Sequence, residues 1–230
     1  MNIAIFSISR DRLPYTKDCF AALKEKAGHP YMHMVFDNGS EDGTKEWLYQ
    51  QNPFSIVSVA QNMGISGPSN VCVNRLLHVV PDGLIIKMDN DCMIQTPGIL
   101  AEFARIYSEC KEAERWVLSP RVEGINKQPR RVRQHTLAGH EIGVTPIVGG
   151  LFHVVPAPVY RHFMADGGYD ETLPKGWGQD DQFCDWLARN GYAKGYVEDL
   201  VVEHYETTDG QAKRWPDYFT RKWREEKERP

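Results

Sequence analysis

The sequence predicts an α/β domain with a mostly parallel central sheet flanked by helices, and three observations predict it. Short apolar runs recur through the first half of the chain, most of them end in a polar cluster, and each is followed by a segment with helical spacing. Strands alternating with helices at this interval form right-handed βαβ units, whose strands lie parallel.

The elements follow in order. Ile3 to Ile8 is a first strand, which breaks at Ser9-Arg10-Asp11-Arg12 and leads into a helix through Leu23. Tyr31 to Phe36 is a second, ending in Asp37-Asn38-Gly39-Ser40 before a helix from Thr44 to Gln50. Ile56 to Ala60, a glycine-bearing loop over 62–67 and a helix from about Ser69 to Val79 repeat the pattern. Leu84 to Met88 is a buried-type strand that ends in Asp89-Asn90-Asp91. In the second half, Trp116 to Leu118, Ile147 to Val155 and Tyr196 to His204 are expected strands. Gln179 to Asn190 is an expected helix closed by Gly191, and Gln211 to Pro230 a charged, aromatic surface helix. Ligands of such sheets bind at the carboxyl ends of the strands, so the clusters at 9–12, 37–44, 62–70 and 89–91 should share one rim.

Composition narrows the function classes. At 230 residues and 41% hydrophobic content the chain can bury one sizeable core, and it shows no linker or internal repeat. A net charge of -4 provides no general attraction to nucleic acid or anionic membrane. Five cysteines without C-x-x-C spacing suggest neither a disulfide framework nor a zinc site, and fit a reduced, cytoplasmic setting. No apolar stretch approaches the ~18 residues of a transmembrane segment, and the amino terminus lacks signal-peptide character. The phosphate-binding patterns G-x-G-x-x-G and G-x-x-x-x-G-K-[ST] are absent, and His140-Glu141 lacks the second His of a zinc-protease helix.

Three sites carry chemistry. Asp89-x-Asp91 forces two carboxylates together, which repel unless a cation or a donor network holds them, and hard oxygen ligands select magnesium or manganese. A solvated turn is the plainer account of that tripeptide alone. Asp37 opens a pair of tight turns at a strand end, where a carboxylate can accept a nucleobase N–H. Asp180-Asp181 either charges a helix N-terminus favourably or supplies a general base. Trp177-Gly178 precedes it, an aromatic face that packs on sugar C–H surfaces beside a residue that permits close approach.

The ordered set Asp37-Asn38-Gly39-Ser40-x-Asp42-Gly43-Thr44, Asn62-x-Gly64-x-Ser66-x-x-x-Asn70 and Asp89-x-Asp91 resembles the signature blocks of glycosyltransferase family 2. Ser7-Ile8-Ser9-Arg10 is similar to the family's first strand end, and the resemblance covers about residues 1–205. It implies a GT-A type, Rossmann-like fold with a nucleotide half over about 1–92, an acceptor half over about 93–205, and a tail at 206–230 outside it. It further implies an inverting enzyme with a UDP-sugar donor and Mn2+ or Mg2+. Asp37 would bind the base, while Ser7, Arg10, Asn62, Gly64 and Asn70 would line the nucleotide pocket. Asp89, Asn90 and Asp91 would serve ribose and metal, with Asp91 the direct ligand and His204 where the family has a metal-binding His.

Asp180 would be the base, with Asp181 its rival if the register slips by one residue, and Gly150, Trp177 and Gly178 would face the acceptor. Two departures stand out: Gln179 replaces the family's usual Glu, and Ser69 a frequent Arg. The acceptor would be a glycan or a lipid-linked sugar. The basic run at 121–133 and the cationic, aromatic tail also permit DNA with hydroxylated bases. The segment 121–141 would be a lid over the donor. A sugar nucleotidyltransferase and a non-catalytic sugar-nucleotide-binding module are the remaining alternatives.

Overall fold

Among the described residues, which are all but 52, 126–129, 174–177, 207 and 228–230, ten strands form one sheet in this computed structural model. In chain order they are β1 (Ile3–Ser9), β2 (Met32–Asn38), β3 (Ser55–Val59), β4 (Leu84–Met88), β5 (Cys92–Ile94), β6 (Trp116–Glu123), β7 (Arg133–Leu137), β8 (His140–Val144), β9 (Phe152–Pro156) and β10 (Ala193–His204). The helices are α1 (Leu13–Lys26), α2 (Thr44–Gln50), α3 (Ser66–Val79), α4 (Ile99–Glu109), α5 (Ala157–Ala165), α6 (Gln179–Arg189), α7 (Thr208–Arg214) and α8 (Pro216–Lys227).

Across the sheet the order is β3-β2-β1-β4-β9-β6-β10-β8-β7, with β5 paired to β10. The first four neighbours are parallel, as is β6 with β10, while β5, β8 and β9 run against the strands beside them. The central strands β1 and β4 are buried on both faces, with consecutive Ile3, Ala4, Ile5, Phe6 and Leu84, Ile85, Ile86 at 2% exposure or less. After β3 the chain crosses back past β1 to lay down β4. That reversal is a topological switch point, and a crevice opens there at the carboxyl ends of the strands.

Several elements differ from the sequence expectation. The strand expected from Ile147 begins only at Phe152, because 147–151 bends inward: the amide of Gly149 donates to the Tyr196 hydroxyl (3.1 Å) and that of Gly150 to Asp180 (2.7 Å). The second strand runs on through Asp37 and Asn38, held by parallel pairing with β1 and β3. Helix α4 is an element beyond those expected, and its Ile99, Leu100, Phe103, Ile106 and Tyr107 recur at helical spacing and are buried.

The expected lid contains instead the hairpin β7–β8, whose second strand pairs with β10 as part of the sheet, while residues 126–129 lie outside the described set. The tail is two helices broken at Pro216, and it packs on the carboxyl-end rim with Gln211 and Phe219 buried. Among the described residues no helix is long and apolar enough to cross a membrane.

Candidate active site

A cleft of about 380 Å³ lies at the switch point. Its floor is the turn after β4. The Asp89 amide donates to the Leu151 carbonyl (2.9 Å) and the Tyr205 amide to the Asp91 carbonyl (2.8 Å). Because β5 pairs antiparallel with the end of β10, His204 lies opposite Cys92, and its Nε2 comes within 3.7 Å of Oδ2 of Asp91.

The paired carboxylates each face a cation. Asp91 is 7% exposed and receives Nη1 of Arg12 (2.9 Å) and Nε2 of Gln211 (3.1 Å). Burial alone would raise its pKa, but the Arg12 guanidinium and the nearby His204 outweigh that and hold it down to about 2. Arg12 adopts a left-handed conformation (φ 58°) at the start of α1, which turns its side chain to Asp91 and to Oδ1 of Asn90 (3.1 Å). Asp89 receives Nζ of Lys87 at 2.7 Å, and the same ammonium donates to the Gly150 carbonyl at 2.5 Å. Burial opposes the charge on Lys87, yet Asp89 and Asp180 more than offset it, and the ammonium's pKa moves upward.

Asp180 lines the cleft from the first turn of α6, fixed through Oδ2 by the Gly150 amide. Asp181 is exposed and does not line it. Gln179, beside Asp180, is 3% exposed. Gly178 precedes the helix with φ 94°, a conformation glycine adopts without strain, and Trp177 lies outside the described residues.

At the end of β2 Asp37 is fully buried. Ser58 Oγ donates to its Oδ2 (3.0 Å), while Oδ1 has no partner among the described residues. Asn38 ties β2 to the loop that follows β3: its Nδ2 donates to Asn62 Oδ1 (2.9 Å) and the Gly64 carbonyl (2.7 Å), and its Oδ1 accepts from the Met63 amide (2.8 Å). Arg10, Asn38, Asn62 and Asn90 line the cleft.

Four expected donor residues, Ser7, Asp37, Gly64 and Asn70, do not line the cleft. Ser7 is buried, with Oγ 3.0 Å from Nε2 of His33. Asn70 turns away from the cleft to the segment before α6, donating to the Tyr169 carbonyl (2.9 Å) and accepting from its amide (2.9 Å). Conversely Arg12, Lys87, Asn38 and Gln211 were not anticipated as site residues. A lysine inside the apolar run of β4 was the one visible signal.

Asp91 and His204 lie close enough to share a divalent cation, which would have to displace Arg12 and Gln211 from the Oδ2 of Asp91 that they also hold. Two donors of one ion each sit about 2.1 Å from it and so at most about 4.2 Å apart, and theirs are 3.7 Å apart. Among the described residues no third His, Cys, Asp or Glu completes a cluster, because the Asp89 carboxylate is turned to Lys87. A magnesium-type site commonly has only one or two protein carboxylates and leaves the rest to phosphate and water.

A mostly parallel amino-terminal sheet with a switch-point cleft, joined to an antiparallel extension that returns β10 to the cleft, defines the GT-A glycosyltransferase fold. Solved structures similar to the chain include Staphylococcus aureus TarS in complex with UDP-GlcNAc, at 15% identity and TM-score 0.68, covering 90% of this chain and 59% of that one. GalNAc-T7 with UDP, GalNAc and Mn2+ aligns at 11% identity and TM-score 0.67, over 90% of this chain and 44% of that one. The mannosyltransferase PcManGT from Pyrobaculum calidifontis, in complex with GDP-Man and Mn2+, aligns at 15% identity and TM-score 0.58, over 97% and 64%. The chain thus spans less than two thirds of the length of these neighbours. No protein-family model and no curated protein sequence matches it.

Proposed function

We propose that the chain is an inverting glycosyltransferase that moves a sugar from a nucleotide diphosphate, with UDP-sugars the first candidates, to an acceptor hydroxyl. One observation carries this reading: Asp89, Asp91, Asp180 and His204, spread over more than a hundred residues of sequence, line a single cleft at the switch point. The nucleotide-sugar complexes of TarS, GalNAc-T7 and PcManGT, on the same fold, support it.

In this reading the orphaned Oδ1 of Asp37 accepts an N–H of the base, a buried acceptor otherwise left at a cost of about 1–3 kcal/mol. Asp91 and His204 would hold Mn2+ or Mg2+, which would supply positive charge to the departing diphosphate. Asp180, oriented by the Gly150 amide, takes the proton of the acceptor hydroxyl as that oxygen attacks the anomeric carbon from the face opposite the nucleotide. Lys87 keeps Asp89 and Asp180 charge-compensated beneath the reacting groups. The cationic tail does not favour a DNA acceptor, since Arg221 is spent on Asp11 and Glu41 and Arg214 lies over the Tyr15 ring.

The test combines binding and turnover. UDP with manganese chloride should raise the melting temperature of the wild type by mass action, and Asp91→Ala should lose the manganese-dependent part of that rise. Asp180→Asn should bind UDP like the wild type while UDP release from a UDP-sugar falls by about two to four orders of magnitude, the usual worth of a general base. Undiminished release would remove Asp180 from the mechanism.

A further inference from the structure

We infer that Lys87 and Tyr196 are positioning residues of the transfer step: together they hold the segment 147–151 in the inward bend that aims the Gly150 amide at Asp180. The inference rests on the reading of Asp180 as the general base. It assigns a duty to two side chains that do not line the cleft themselves.

The segment lies between β8 and β9 and has no ladder of its own, so its backbone groups bond outward to other elements. The Val148 amide donates to Sγ of Cys184 in α6 (3.4 Å), and the Leu151 carbonyl accepts from the Asp89 amide after β4 (2.9 Å). Between them stand two adjacent glycines, the freest backbone pivots a chain can have. The Gly150 amide, which orients Asp180 at 2.7 Å, belongs to the peptide plane between those pivots. That plane can turn unless the planes on either side of it are fixed.

One side chain fixes each neighbouring plane. The Tyr196 hydroxyl, reaching from β10, accepts the Gly149 amide (3.1 Å) and so holds the plane before. Lys87 pairs in register with His153, and its ammonium reaches back along β9 to the Gly150 carbonyl (2.5 Å), which holds the plane after. Lys87 and Tyr196 are 5% and 8% exposed. Burying an ammonium in an apolar strand is costly unless fixed partners meet it, and those of Lys87 are this carbonyl and the Asp89 carboxylate (2.7 Å).

A double-mutant cycle on UDP release, run with whichever of a panel of UDP-sugars the wild type turns over, tests the assignment. Lys87→Met and Tyr196→Phe should each lower kcat about tenfold, as a misplaced reacting group does, with calorimetric UDP affinity within twofold. In an Asp180→Asn background each should change kcat less than twofold, since displacing a base costs nothing once the base is gone. Tyr196→Phe keeps the ring in place and carries the test even where loss of the buried charge stops Lys87→Met from folding. Equal loss in both backgrounds, or UDP affinity falling in step with kcat, would overturn the positioning role and leave Asp180 standing. Undiminished turnover in Asp180→Asn, or a wild type that turns over no UDP-sugar, would overturn the reading of Asp180 and the inference with it.

Discussion

A methyl group at Gly150 would stand 2.5 Å from Oδ1 of Asp180 and 2.7 Å from Nζ of Lys87. Those two charged groups converge on the one residue small enough to admit them, and its amide and carbonyl bond to each. Gly150→Ala should therefore displace the Asp180 carboxylate rather than the fold. Turnover is expected to drop at least about tenfold, since small misplacements of a reacting group cost that much or more, while UDP affinity changes little. Steady-state kinetics beside UDP titration checks the split, and equal loss of both would place Gly150 in donor binding instead. The residue scale is also where sequence left most open. Adjacent helical positions diverge by about 100°, so the choice between Asp180 and Asp181 depends on how α6 is rotated against the cleft. Arg12 meets Asp91 from a left-handed backbone, and nothing in its neighbours announces that conformation.

At the scale of elements, α3 and the segment before α6 are joined through Asn70. Its side chain both donates to and accepts from the backbone of Tyr169 and donates to Glu171, so the carboxamide replaces a turn of secondary structure. Asn70→Ala should cost about 1–3 kcal/mol by leaving the Tyr169 amide unpaired, with UDP affinity within twofold of wild type. Urea unfolding and UDP titration measure the two effects. A tenfold loss of UDP affinity with unchanged stability would restore Asn70 to the donor pocket. The same scale explains why the segment was legible while the duty of its last Asn was not: spacing places Ser66 to Asn70 on one helix turn, but α3 presents Asn70 to Tyr169, ninety-nine residues away. The tail shows the converse. Its aromatic and basic residues suit a solvated surface helix equally well, and only docking on Asp11, Tyr15 and Glu41 places it on the rim.

Over the whole molecule, stability should depend on a histidine that sequence gave no reason to notice. His153 in β9 is 2% exposed, and burial lowers its pKa from 6.5 to about 3. Between those values the unfolded chain binds a proton that the folded chain refuses, so stability falls as pH drops from 6.5 toward 3. The slope from this one group approaches about 1.4 kcal/mol per pH unit, and above 6.5 the group contributes no slope. His153→Phe, which leaves Tyr160 its contact with Tyr169 (3.4 Å), should flatten that part of a urea-midpoint profile between pH 7 and 4. An unchanged profile would assign the acid sensitivity to other groups.

Apolar periodicity and strand-end clusters determined the α/β class, the parallel amino-terminal half of the sheet and the rim on which Asn62, Asp89 and Asp91 gather, because local spacing dictates which faces must be buried. What joined Asp180, His204, Arg12 and the tail to that rim was tertiary: the antiparallel pairing of β5 with β10, the inward bend at Gly150, and the docking of α7 and α8. Contacts between segments a hundred or more residues apart leave no periodic trace in one sequence, since each depends on the packing of both partners at once.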